Sequence, residues 1–113
     1  MIVAMKHEKR RLVEHVDFIT SPGWLRGRTS RCESGLGTGG MFRVVTDLAV
    51  FDFDEEMRRM RAIALNPGVS CEQVQANTGF LLAFAPDLRV TEPPSTDELA
   101  MLRHLDPDRR YTA

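Results

Sequence analysis

The chain opens on five apolar residues, Met1-Ile2-Val3-Ala4-Met5, closed by the charged run Lys6-His7-Glu8-Lys9-Arg10-Arg11. A short apolar run bounded by charge predicts a buried strand. A lone strand at the first residue, with no hairpin partner behind it, predicts a chain that begins in the middle of a larger fold. From Leu12 to Ser21 two patterns compete. Val13, Val16 and Ile19 share a helical spacing, whereas Val16, Phe18 and Thr20 alternate. β-Branched and aromatic residues cluster over His15–Thr20, which favours a strand there. Ser21-Pro22-Gly23 predicts a turn, because Pro presets φ and Gly tolerates positive φ. Residues 23–40 hold six of the eight glycines and predict a long irregular excursion. Inside a small domain such an excursion is functional or covered by a partner.

Phe42–Asp54 carries the clearest strand pattern, with a bend expected near Thr46-Asp47. Glu55–Leu65 gives two signals. Its Glu, Met, Arg, Ala and Leu are helix formers, and Met57, Met60 and Ala64 share a helical face. The alternative is a hairpin with its turn near Asp54–Met57. The next helix is well marked: Ser70 is an N-cap, Gln73 completes a capping box, and Val69 and Val74 occupy staple positions. Asn77-Thr78-Gly79 supplies its stop, with Gly79 at the C′ position. Phe80–Phe84 then predicts a strand. Pro93-Pro94 leads into a second capped helix, from Ser95 and Glu98 to about His104, and Asp106-Pro107 ends it. Residues 106–113 form a polar tail.

Charge and composition narrow the chemistry. Fifteen Lys+Arg against sixteen Asp+Glu leave a net charge of −1 on 113 residues. A general nucleic-acid binder needs surplus cations, so no nucleic-acid partner is expected. No apolar run approaches the roughly 20 residues needed to span a bilayer, and no membrane partner is expected. Cys32 and Cys71 lack CxxC spacing, which fits free thiols in a reducing cytoplasm. His7, His15 and His104 lack paired ligand spacing, so no metal site is proposed.

Several motifs have bland alternatives. Gly35-Leu36-Gly37-Thr38-Gly39-Gly40 spells GxGxxG, but a dinucleotide site needs a strand before it and a helix after it. Here a polar loop precedes it and a strand follows, which favours a flexible loop. The Lys6–Arg11 run is a solvated or partner-facing edge unless it reads a ligand. Groups just beyond the C-terminal end of a strand sit where ligands gather in α/β sheets, so His7, Lys9 or Arg10 could face an anionic substrate. Cys71 falls in the first turn of the Ser70 helix, where a packed thiol is the default. Trp24 serves as an anchor for its loop.

Four phrases stand in one order: His7-Glu8-Lys9-Arg10-Arg11, Val16 through Trp24, Val44-Val45-Thr46-Asp47-Leu48, and Pro67-Gly68-Val69 through Asn77-Thr78-Gly79-Phe80. Together they resemble the C-terminal half of the β subunit of family I CoA-transferases, of the glutaconate CoA-transferase type, over residues 2–105. The resemblance implies the C-terminal part of an open α/β sheet of the CoA-transferase type, with two short capped helices. It also implies a β-hairpin over Phe42–Leu65. It implies a transferase in which α and β subunits build the active site together. A β-subunit glutamate attacks an acyl-CoA and holds CoA as a glutamyl thioester before transfer to a second carboxylate. Coenzyme A thioesters would be substrates, with no permanently bound cofactor.

The glutamate of that family lies in an N-terminal half that is absent here, in a Glu-Ser-Gly or similar phrase after a strand. Glu33-Ser34-Gly35 spells the phrase, but Thr29-Ser30-Arg31-Cys32 before it is a polar loop, so Glu33 is expected to be an exposed loop residue. No catalytic residue is therefore assigned within this chain, and His7 is the one candidate for substrate binding. The expectation is a scaffold and interface segment of a cytoplasmic hetero-oligomer, partnered by an α subunit and the N-terminal β-subunit half. Phe84-Ala85-Pro86-Asp87-Leu88 with Pro93-Pro94 is also similar to related subunits that cleave ring-derived acyl-CoA compounds. A non-catalytic interaction module is the third possibility.

Overall fold

The computed structural model describes residues 1–37 and 39–112. Along the chain run β1 (Ile2–Met5), α1 (Ser30–Glu33), β2 (Arg43–Thr46), β3 (Ala49–Phe53), β4 (Met60–Leu65), α2 (Cys71–Ala76), β5 (Ala83–Val90) and α3 (Thr96–Leu105). The strands lie side by side in the order β1-β2-β3-β4-β5. β1 and β2 are parallel, β3 is antiparallel to both its neighbours, and β5 is parallel to β4. Four strands therefore point the same way, and their C-terminal ends share one edge of the sheet.

The register explains the core. Val3, Val44, Phe51, Ala62 and Phe84 align in one row across all five strands. Successive side chains in a strand alternate between faces. In β1–β3 the neighbouring row, Ala4, Val45 and Val50, thus falls on the opposite face, and register shifts at Val50/Phe51 and Ala62/Ala64 interrupt the alternation beyond it. The first face is covered by α2, whose Val74 is fully buried against Val44, Ala49, Phe51, Ala62, Leu65 and Leu82. Burying Phe51 and Val74 contributes about 2–3 kcal/mol each. The second face is open: Val45 and Ala4 are exposed. β1 forms one edge of the sheet, with Ile2 63% exposed.

Both expected N-caps are present, but the box expected of Gln73 is not completed, since its side chain does not reach back to the Ser70 N–H. Ser70 accepts from the Gln73 N–H at 3.2 Å. Ser95 accepts from the Glu98 N–H at 3.2 Å, and Glu98 accepts from the Ser95 N–H at 2.8 Å, a complete capping box. The Phe42–Leu65 stretch forms sheet and tight turns, as the resemblance implied, and takes three strands rather than two. The helix that propensity favours over Glu55–Leu65 does not form. Asp54 stops it: its carboxylate accepts from the Met57 and Arg59 N–H groups and closes a tight turn. Met60–Leu65 then pairs on both sides, with β3 and β5, and sheet pairing overrides local preference.

Three other expectations are corrected. His15–Thr20 is not a strand. It has the right residues but no ladder partner, and Phe18 is left 80% exposed. The strand expected at Phe80–Phe84 starts at Ala83, because Gln75 claims the preceding backbone: its side chain donates to Phe80 O and accepts from Leu82 N–H. Gly79 does not hold a left-handed C′ position. It is needed for close approach, since a Cβ there would lie 2.5 Å from Leu12 O.

A candidate functional site at the C-terminal edge of the sheet

A polar belt runs along the shared strand ends. The His7 N–H donates to Asp47 Oδ1 at 2.6 Å. Asn66 donates through Nδ2 to Asp47 O at 2.8 Å and through its backbone N–H to Leu48 O at 2.8 Å. Thr91 Oγ1 donates to Asn66 Oδ1 at 3.0 Å. The belt thus joins the exits of β1, β2, β4 and β5. In open α/β sheets this is the edge at which ligands bind.

His7 is the centre of the belt. Its side chain is buried, although the run around it is highly charged. Nδ1 lies 3.1 Å from Thr46 Oγ1, and Nε2 lies 3.0 Å from Thr78 Oγ1. The surrounding bonds assign the tautomer. Thr78 donates its hydroxyl proton to Val74 O at 2.7 Å, so its oxygen accepts from His7 Nε2–H. Thr46 Oγ1 already accepts from the Leu48 and Ala49 N–H groups, and its proton has two acceptors within reach, Nδ1 and Ala49 O at 3.1 Å. A neutral imidazole satisfies this chain, whereas a charged one would present a third donor to Thr46 Oγ1. Burial accordingly lowers the His7 pKa, against opposing contributions from the Val74 backbone and the Asp47 charge. The ring also packs on Phe51 with centroids 5.6 Å apart. The expectation that His7 faces an anionic substrate therefore meets a ring engaged at both nitrogens.

The rest of the charged run faces water. Glu8 pairs with Arg11 and Arg10 at 2.8 Å each, and those two bonds hold its pKa low. Lys9 is exposed. Glu33 closes the short helix α1, where its exposed carboxylate accepts from Thr29 Oγ1. That helix lies in the Gly-rich excursion, whose far end meets the start of β1: the Met1 ammonium donates to Gly40 O at 3.0 Å. Glu33 thus belongs to the opposite end of the sheet from His7. The GxGxxG stretch runs into β2 rather than a helix, and its Thr38 lies outside the described residues. Trp24 does anchor its loop, donating from Nε1 to Met41 O at 2.8 Å. Cys71 packs half-buried against the core. Among the described residues no group of three metal-ligating side chains occurs, and no helix is long and apolar enough to cross a membrane.

Nothing local in the sequence marks Thr46, Thr78 or Asn66. Asn66 precedes Pro67-Gly68 and reads as turn, Thr78 reads as helix stop, and Thr46 as a strand bend. Their roles depend on partners up to 71 residues away.

A mixed open sheet with its helices at the side, braced at the C-terminal edge of four strands by hydrogen bonds, defines a scaffold of the α/β class. Residues 1–77 match the family described as Coenzyme A transferase. The chain belongs to that family. It is 37% identical over 111 residues to the B subunit of glutaconate CoA-transferase from Acidaminococcus fermentans, covering 97% of this chain and 42% of that protein. It is 35% identical over 103 residues to the cholesterol ring-cleaving hydrolase IpdB subunit of Rhodococcus jostii, covering 90% of this chain and 40% of that one. The crystal structure of glutaconate coenzyme A-transferase from A. fermentans superposes with a TM-score of 0.88 at 37% identity, covering 99% of this chain and 44% of that one. The chain therefore spans less than half the length of these relatives.

Proposed function

We propose that this chain is the C-terminal segment of a CoA-transferase β-type subunit. The complete enzyme moves CoA from an acyl-CoA to a carboxylic acid through a glutamyl-CoA thioester. The attacking glutamate comes from an N-terminal β-type half, and an α-type subunit completes the site. Covalent capture divides one acyl exchange into two easier steps. Residues 1–105 supply scaffold and interface, and residues 106–113 are a polar tail outside that role. CoA thioesters are substrates, and the assembly works as a cytoplasmic hetero-oligomer. His7 acts by position: it fixes the exit of β1 against the β2–β3 turn and the end of α2, so that residues following β1 keep their place at the ligand-binding edge.

The observation that carries this reading is the 37% identity to the glutaconate CoA-transferase relative across 97% of the chain. The resemblance to a ring-cleaving hydrolase supports a second reading, in which water opens a ring in the acyl group of an acyl-CoA. One experiment separates them. The chain is combined with the N-terminal part of a β-type subunit and with an α-type subunit, then given an acyl-CoA and a carboxylate acceptor. CoA attached to the acceptor acid, detected by mass spectrometry, supports transfer. Acyl-CoA consumption with no CoA on the acceptor supports hydrolysis, and assembly without turnover supports a non-catalytic interaction module.

A further inference from the structure

At the end of the sheet opposite His7, a cleft of about 290 Å³ opens between Trp24 and the strands β2–β4. Three guanidinium groups line it, those of Arg43, Arg58 and Arg61. Arg61 is held by Asp52, donating to both carboxylate oxygens at 2.7 and 3.0 Å. Arg43 and Arg58 are held differently. Arg43 lies 4.2 Å from the centroid of the Phe42 ring and donates one N–H to Phe42 O at 3.0 Å. Arg58 lies 4.4 Å from the centroid of Trp24. Neither makes an ion pair among the described residues. A guanidinium stacked on a ring is fixed in its plane while its remaining N–H groups stay free for an in-plane acceptor. Glu55 lines the same cleft, so three cations face two carboxylates and one positive charge is in excess.

The platform beneath Arg58 is specifically built. Arg58 has φ of 56°, a left-handed conformation uncommon for a residue with a side chain. Its N–H donates to Asp54 O at 3.1 Å, within the turn that the Asp54 carboxylate closes. Trp24 occupies the space that a Cβ at Gly40 would need, only 2.8 Å from its ring. Gly27 lets the loop pass against Met57 O, which a Cβ would meet at 2.2 Å. Two glycines and one strained backbone position thus converge on the orientation of a single arginine. Strain of this kind clusters at ligand clamps.

We infer that this cleft is an oxyanion-binding site that takes a phosphoryl or carboxylate group between Arg43 and Arg58. A cleft of this volume with cationic walls suits a phosphate-sized group or a short dicarboxylate. The inference stands on this cleft alone and does not depend on the acyl-transfer reading.

The test titrates the ¹⁵N-labelled chain with pyrophosphate, with glutarate, and with sodium chloride at matched ionic strength, reading the arginine Nε–H resonances. Arg43 and Arg58 are expected to shift saturably with at least one of the two oxyanions. Arg61, whose Nε–H is committed to Asp52, and exposed Arg59 stay in place. Saturation by pyrophosphate alone assigns a phosphoryl site, and by glutarate alone a carboxylate site; both support the inference. Arg58→Gly relieves the positive φ, so the fold survives, and it weakens the oxyanion by about tenfold, as loss of charge-assisted hydrogen bonds requires. Arg59→Ala leaves the affinity unchanged. The inference is overturned if neither oxyanion saturates, if chloride shifts the same signals equally, or if Arg59→Ala weakens binding as much as Arg58→Gly. It is also overturned if Arg58 responds only to an added α-type subunit, which would make the cleft a protein contact.

Discussion

Replacing His7 by alanine removes one ring and two hydrogen bonds from the place where β1, the β2–β3 turn and the end of α2 meet. Each buried neutral hydrogen bond contributes about 1 kcal/mol. The vacated ring volume beside Phe51 adds a cavity cost, for a total of about 2–4 kcal/mol. The two threonines soften the loss, because Thr78 keeps its bond to Val74 O and Thr46 can turn its proton to Ala49 O, 3.1 Å away. In a chain of this size the loss lowers Tm by roughly 8–16 °C. The pH dependence is the sharper readout. The folded ring titrates below the ordinary histidine value of 6.5, because burial disfavours its charged form. Between the folded pKa and 6.5 the unfolded chain binds more protons, so stability rises with pH through that window. Above 6.5 the His7 contribution is complete, and it fades as pH falls below 6.5. The slope from one proton is at most about 1.4 kcal/mol per pH unit. Urea unfolding of the parent chain and of His7→Ala, from pH 7.5 to 5, should show their difference shrinking on acidification. A difference below about 0.5 kcal/mol at pH 7.5, or one that stays constant with pH, refutes the buried neutral relay.

Other outcomes follow from single contacts. Gly79→Ala places a Cβ against the backbone oxygen of buried Leu12 and should cost about 1–3 kcal/mol in chemical unfolding, with faster amide exchange over residues 9–13. Ser95→Ala removes the side-chain half of the capping box, leaving the residue 95 N–H bonded to Glu98, and should cost about 1 kcal/mol of α3 stability, seen as earlier local exchange in that helix while the sheet is unaffected. Asp106 accepts from the Arg110, Tyr111 and Thr112 N–H groups, and these bonds lower its pKa. Its stabilisation of the 106–112 turn is complete above the ordinary carboxylate value and is lost as pH falls through the folded one. Asp106→Ala should release that segment to rapid exchange at neutral pH.

Local chemistry was legible wherever the partners are close in sequence. Ser70 and Ser95 cap their helices because an N-cap needs only a side chain and an amide three residues on. Other elements depend on distant pairing. Glu55–Leu65 has helical composition, yet β3 and β5 flank Met60–Leu65 and supply ladder bonds that no helix here could match. His15–Thr20 shows the converse, with strand composition and no strand beside it to pair with. The start of β5 was displaced by one glutamine side chain, which composition does not reveal. The family phrases did report the sheet over 42–65, because they carry pairing information that propensity lacks. At the candidate site, His7 was visible as a residue at a strand exit, but its threonine partners lie 39 and 71 residues away. Its burial could not be read from the charged run that contains it.

Under the proposed function this family segment frames the acyl site while the attacking carboxylate lies outside it. The most direct measurement incubates the reconstituted complex with an acyl-CoA, quenches it, and locates the enzyme-bound CoA thioester by peptide mass spectrometry. A single CoA adduct is expected on a glutamate of the N-terminal β-type half, with every peptide of this chain unmodified. An adduct on Glu33, or on any other carboxylate among these 113 residues, would contradict it.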